Sequence, residues 1–155
     1  MAELVHGTAI ATAGRAVLIR GASGAGKSDL ALRCLGTPPG AFLAEAPKLV
    51  ADDQVLVAVR DGRIVVSAPP TIRGLIEVRG LGLVAVPTVE EAELALVVDL
   101  VRPGALERMP APAAPAVIAG LPVARVALDP HEMSAPLKLF IALGQVAGGT
   151  GEATR

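Results

Sequence analysis

Tryptophan and tyrosine are absent from this 155-residue chain, and phenylalanine occurs only at Phe42 and Phe140. Proteins that grip unstacked bases do so on aromatic platforms, so that mode of nucleic-acid recognition is not expected. A surplus of basic charge is also missing. The 14 Lys and Arg stand against 15 Asp and Glu, for a net charge of −1, and they form no cluster. No electrostatic footprint for nucleic acid or an anionic membrane results. With a single cysteine, Cys34, no internal disulfide can form, which agrees with a reducing compartment. Among helix-spaced apolar neighbours, Cys34 reads as a small buried hydrophobe rather than a reactive thiol. No uninterrupted apolar run approaches the roughly 20 residues of a spanning helix. Met1-Ala2-Glu3 opens without the basic and apolar pattern of a signal peptide. The expected location is the cytoplasm, and the expected partners are proteins or metabolites.

What the chain does have is aliphatic bulk. Hydrophobic residues make up 52% of it, nearly all Val, Leu, Ile and Ala, enough for the core of one domain. Residues 21–28 read Gly21-Ala22-Ser23-Gly24-Ala25-Gly26-Lys27-Ser28, a complete phosphate-binding loop directly after the apolar run Ala16-Val17-Leu18-Ile19. Gly21, Gly24 and Gly26 let the backbone turn tightly, so that successive N–H groups converge on a β-phosphate. Lys27 carries a charge to the β- and γ-phosphates, and the Ser28 hydroxyl is placed to ligate magnesium. Asp29 to Leu35 continues with helical spacing, so the loop feeds a helix N-terminus that also favours the anion.

Around the loop the sequence predicts an α/β domain with a mixed β-sheet and flanking helices. Paired strands are expected in Leu4–Thr12 and Ala16–Arg20, followed by a helix to about Leu35 and a surface connection over Gly36–Gly40; residues 41–47 are ambiguous. Strands follow at Lys48–Ala51, Val55–Arg60 and Arg63–Ser67, the last two joined by an Asp61-Gly62 hairpin. Leu75–Gly82 reads as a single loop-edged strand and Leu94–Val101 as a strand buried on both faces. Pro- and Ala-rich residues 102–115 are an irregular connection, and Val117–Leu128 a hairpin turning at Gly120-Leu121-Pro122. A final helix is expected from about His131 to Val146, N-capped by Asp129. Residues 1–147 form the expected domain and 148–155 a flexible tail.

A phosphate loop alone separates neither kinase from ATPase nor enzyme from sensor. Asp52 and Asp53, at the end of an apolar strand, supply a carboxylate for magnesium and one to accept a proton from an attacking hydroxyl. Adjacent strand residues face opposite ways, so spacing leaves open which of them meets the nucleotide. Taken singly, Glu77 reads as a solvent-facing strand residue paired with Arg73 or Arg79, and His6 as a structural histidine at a strand edge.

Together, His6-Gly7, the loop Gly21–Ser28, Ala51-Asp52-Asp53 and Ile76-Glu77-Val78-Arg79-Gly80-Leu81-Gly82 resemble the catalytic domain of the HPr kinase/phosphorylase family in order and spacing. The resemblance covers roughly residues 4–100 and, more loosely, the final helix. It implies a fold like that family's C-terminal domain, with ATP and Mg2+ as cofactors and transfer to a serine of the phosphocarrier HPr or an HPr-like protein of a regulatory phosphotransferase system. It also implies that Lys27 holds the phosphates, that Ser28 and Glu77 belong to the metal site with Asp52 beside them, and that Asp53 is the proton acceptor. His6 then corresponds to an active-site histidine, and Arg108 matches an active-site arginine. The chain looks like the short alphaproteobacterial form of the family, the catalytic domain alone, and the family's homohexamer is the expected assembly.

One departure bears on activity. Where bifunctional members carry a basic Pro-Gly-Arg loop, this chain reads Val126-Ala127-Leu128-Asp129-Pro130-His131, which makes the reverse phosphorylase reaction doubtful. Two other readings stand beside the serine kinase. A small-molecule kinase would need an arginine-bearing lid. A non-catalytic ATP sensor could dispense with Asp53 and Glu77.

Overall fold

The structure, a computed structural model, describes residues 2–146. The elements run β1 (Glu3–His6), β2 (Thr8–Thr12), β3 (Arg15–Arg20), α1 (Lys27–Leu35), β4 (Lys48–Ala51), β5 (Gln54–Arg60) and β6 (Arg63–Ser67). After a single 3-10 turn at Pro70–Ile72 come β7 (Leu75–Val78), β8 (Gly82–Ala85), β9 (Glu91–Leu100), β10 (Ala116–Ile118), β11 (Leu121–Leu128) and α2 (Ala135–Gln145). The expected α/β architecture is what forms. A mixed sheet runs β1-β5-β6-β9-β3-β2-β4, with β11 also on β9 and β10 beyond it.

Strand β9 organises this sheet. One edge pairs in parallel with β3; the other takes β6 at Glu91–Glu93 and then β11 at Leu96–Leu100. Parallel strands β3, β9 and β11 therefore end side by side, which is where α/β sheets place their ligands. Alternation along β3 serves two cores. Ala16 and Leu18 join a cluster with Val50, Val57, Val66 and Val97, while Val17 and Ile19 join Leu30 and Cys34 of α1 and Leu139 and Phe140 of α2. The first cluster unites β4 and β5, from opposite halves of the strand order, so the sheet curls on itself. The helices cover its other face.

Both hairpin turns with two left-handed residues in the first half of the chain follow from local chemistry. Ala13-Gly14 joins β2 to β3 and Asp61-Gly62 joins β5 to β6, each with positive φ at both positions, matching the strand twist. Four expectations are corrected. The N-terminal strands do not all pair together, because β1 lies antiparallel on β5, some 50 residues away. The later hairpin turns at Ala119-Gly120 (φ +50° and +82°), so Leu121 and Pro122 already belong to β11; proline cannot take a positive φ. Residues 75–85 form a hairpin, β7 and β8, in a separate two-stranded sheet, with Gly80 at φ +89° in its turn. Helix α2 begins at Ala135 rather than His131, with Pro136 in its first turn, where its missing N–H leaves no bond unmade. Asp129 does not cap it, and instead closes a turn by accepting the His131 N–H at 2.9 Å. The expected tail, 148–155, lies outside the described residues. Among the described residues no helix is long and apolar enough to cross a membrane.

Candidate active site

The loop leaves β3 under two kinds of constraint. Gly24 and Gly26 hold φ of +82° and +105°, conformations that L side chains rarely adopt. Gly21 is confined by space, since a Cβ there would stand 3.1 Å from Ala25 Cβ and 3.3 Å from Leu100 Cβ of the neighbouring strand. Lys27 is the first residue of α1 and is buried; its Nζ donates to the carbonyls of Gly21 and Ala22 at 2.9 and 3.0 Å, closing the loop into a ring.

Beside the loop lies a saturated carboxylate. Asp52 is 6% exposed, and its Oδ1 accepts from Ser28 Oγ at 2.6 Å and Thr8 Oγ1 at 2.9 Å. Its Oδ2 accepts from the Glu77 backbone N–H at 2.9 Å, fastening β7 to the site. Burial of the charge is thus compensated by three donors.

The next residue behaves differently. Asp53 follows the end of β4 with φ +72°, so the strand rule that sends neighbours to opposite faces does not apply to it. Its carbonyl accepts from Gly7 N–H at 3.0 Å, its own N–H reaches Thr8 Oγ1 at 3.4 Å, and its carboxylate lies 3.6 Å from His6 Nδ1. That carboxylate is 71% exposed and the imidazole 48%. Between His6 and Thr8, Gly7 leaves no room for a side chain: a Cβ would stand 2.8 Å from the Ile19 carbonyl and 2.9 Å from Leu18 Cδ1. The β1–β2 corner thereby seats on the end of β3, one residue before the loop begins.

Residues 1–129 match the family model described as HPr Serine kinase C-terminal domain. The chain belongs to that family. Two curated relatives are the HPr kinase/phosphorylase of Bordetella petrii, 37% identical over 136 residues, and that of Burkholderia lata, 34% identical over 135. Each alignment takes in 81% of this chain, but only 42% and 39% of the relatives, so the chain spans about two fifths of their length. The fold is shared with the solved Hpr(Ser) kinase/phosphatase of Coxiella burnetii at a TM-score of 0.75, covering 92% of this chain and 88% of that one at 23% identity.

Within this family domain, the structure joins Ser28 to Asp52 and sets Asp53 against His6. Glu77 enters through its backbone; its carboxylate is exposed on β7, on the side away from buried Ile76. Among the described residues no group of three or more His, Cys, Asp or Glu side chains gathers to hold a metal. A phosphate-bound Mg2+ needs no such cage, because one hydroxyl, phosphate oxygens and carboxylate-held waters suffice. The contacting Ser28 and Asp52 fit that donor set. Arg108 is not brought to them; it is exposed on the irregular segment after β9 and makes no hydrogen bond or ion pair among the described residues.

Two contributors carry little sequence signal. Thr8 is fully buried and anchors both acids, yet a threonine opening a strand is commonplace. Arg20, the residue before Gly21, forms a two-pronged pair with Asp99 of β9 at 2.8 and 3.1 Å, with Arg125 of β11 at 3.7 Å from the same carboxylate. This pair braces the three parallel strand ends under the loop. The charged end of the buried run Leu94–Val101 was its available sign. Cys34 of α1 is fully buried, as expected; burial pushes its thiol up to about 12, against a smaller opposing effect of Arg33.

Proposed function

We propose that this domain is an ATP- and Mg2+-dependent protein serine kinase acting on HPr or an HPr-like phosphocarrier. The observation that carries this reading is the pairing of unlike carboxylates beside the loop: Asp52 buried on the Ser28 hydroxyl, Asp53 exposed beside His6. The first arrangement suits holding, the second suits reacting. ATP would lie with its β- and γ-phosphates over the loop amides, where Lys27 exchanges the Gly21 and Ala22 carbonyls for phosphate oxygens. Ser28 and Asp52, with Glu77 beside them, would hold Mg2+, which neutralises charge on the phosphates when bound.

Transfer then needs one base. As the acceptor serine oxygen bonds to the γ-phosphorus, Asp53 takes its proton and the bond to the ADP oxygen breaks. His6, 3.6 Å from Asp53, orients that carboxylate. A base so exposed suits an acceptor presented on another protein. Arg108, on the irregular segment that follows β9, would act on the phosphates only after approach of that segment. The forward reaction is proposed as the main one, in a cytoplasmic homohexamer, with the reverse phosphorylase reaction weak.

Incubation with γ-labelled ATP, Mg2+ and an HPr-like protein tests this. Label on a carrier serine is the expected result. Label on a small molecule alone, or ATP binding with no acceptor labelled, would refute it.

A further inference from the structure

One buried carboxylate takes no part in the site described so far. Asp129, 8% exposed, directly follows β11, whose end lies beside those of β9 and β3. Its Oδ1 accepts the His131 N–H at 2.9 Å and stands 3.3 Å from His131 Nδ1. That commits Nδ1 and turns Nε2 outward on a ring whose side chain is 71% exposed.

The loop bearing this pair is strapped to the phosphate loop's own helix. Arg33 of α1 donates to the carbonyls of Pro130 and, at 3.3 Å, Glu132, on either side of His131, while its Nε pairs with Asp29 at 3.0 Å. Glu132 is in turn held by Lys138 of α2 at 2.5 Å. Pro130 packs on Gly26: a Cβ built there would lie 3.5 Å from the proline ring. Gly26 directly precedes Lys27, whose side chain is the one that reaches the β- and γ-phosphates in such loops. A histidine that merely faced solvent would need neither a buried carboxylate behind it nor clamps on both flanking carbonyls.

We propose that His131, oriented by Asp129, is a further residue of the nucleotide site, its Nε2 meeting the terminal phosphate of the bound triphosphate. With Nδ1–H donated to Asp129, a proton on Nε2 makes the ring a cationic donor to a phosphate oxygen. The charges packed nearby, Arg33 with Asp29 and Glu132 with Lys138, are already paired with each other. This inference rests on the reading of the loop as an ATP site.

Equilibrium titration of ATP and of ADP, both with Mg2+, into the wild-type chain, His131→Ala and Asp129→Asn separates the two ideas. His131→Ala is expected to weaken ATP about tenfold, as loss of one charge-assisted contact does, and ADP less than about twofold, at unchanged Tm. Asp129→Asn is expected to weaken ATP selectively but less. Equal losses for both nucleotides, or no loss for ATP, overturn the role of His131 while leaving the ATP site standing. A wild-type chain that binds neither nucleotide overturns the proposed function, and this inference with it.

Discussion

The two sides of the phosphate loop are built to opposite rules although adjacent residues found them. On one side Asp52 is out of water and saturated by a hydroxyl from α1, a hydroxyl from β2 and an amide from β7. On the other, Asp53 stands in solvent with a left-handed backbone and, among the described residues, one titratable neighbour, His6. A carboxylate that must bind protons and release them gains nothing from three fixed donors, whereas one that ties elements together gains from each. On the proposed function, the difference separates a group that would hold the site from one that would react in it.

The largest effect is expected from Lys27→Ala, which acts on neither carboxylate. Loss of the only charge the loop itself aims at the phosphates should lower transfer on the order of 10³–10⁵-fold, measured as phosphate moved to carrier protein. Retained turnover would mean that nucleotide is bound elsewhere. Asp53→Asn comes next and tests the comparison directly. Asparagine tolerates the positive φ and keeps the shape, so Tm should move by no more than about 2 °C while transfer falls on the order of 10²–10⁴-fold. A large fall in Tm would place Asp53 on the holding side.

Asp52→Ala, besides removing a residue proposed to hold Mg2+, should differ from Asp53→Asn in costing stability. It strands the buried Thr8 hydroxyl together with the part-buried Ser28 hydroxyl and Glu77 amide; three donors losing their one shared acceptor cost about 3 kcal/mol, a Tm fall of roughly 6–12 °C at this chain length. Thermal unfolding followed by circular dichroism checks it. An unchanged Tm would show that Asp52 does not tie β2, α1 and β7 together.

These residues also mark what the sequence could disclose. The loop was legible because glycine, lysine and serine are demanded there by local backbone and phosphate chemistry, and Asp61-Gly62 because a two-residue turn carries its own signature. Asp52 and Asp53 were found as a pair, but their division of labour depends on Thr8, Ser28 and Glu77, which lie 24 to 44 positions away. No local pattern encodes that. The pairing of β1 with β5 and the Arg20–Asp99 brace were hidden for the same reason. The start of α2 departs from expectation because Asp129, a good cap by type, is spent on turning the chain at His131.

Cys34 gives the smallest effect and bounds the comparison from inside the fold. It lies six residues after Ser28 on the same helix, yet it faces the core instead of the loop. Burial moves its thiol from 9.0 to about 12, so at pH 8 its thiolate fraction is on the order of 10⁻⁴ and a thiol reagent should label it only when α1 opens or the chain is unfolded. The sign of the pH dependence follows. Because the folded pKa is raised, the neutral thiol's contribution is complete below pH 9 and is lost as pH climbs toward 12. Cys34→Ala should therefore cost about 1 kcal/mol of packing at neutral pH and leave transfer unchanged. Rapid labelling of the native protein would instead mean that the helix carrying Lys27 and Ser28 opens readily before nucleotide arrives, and that the rigidity ascribed to the Asp52 side does not extend through it.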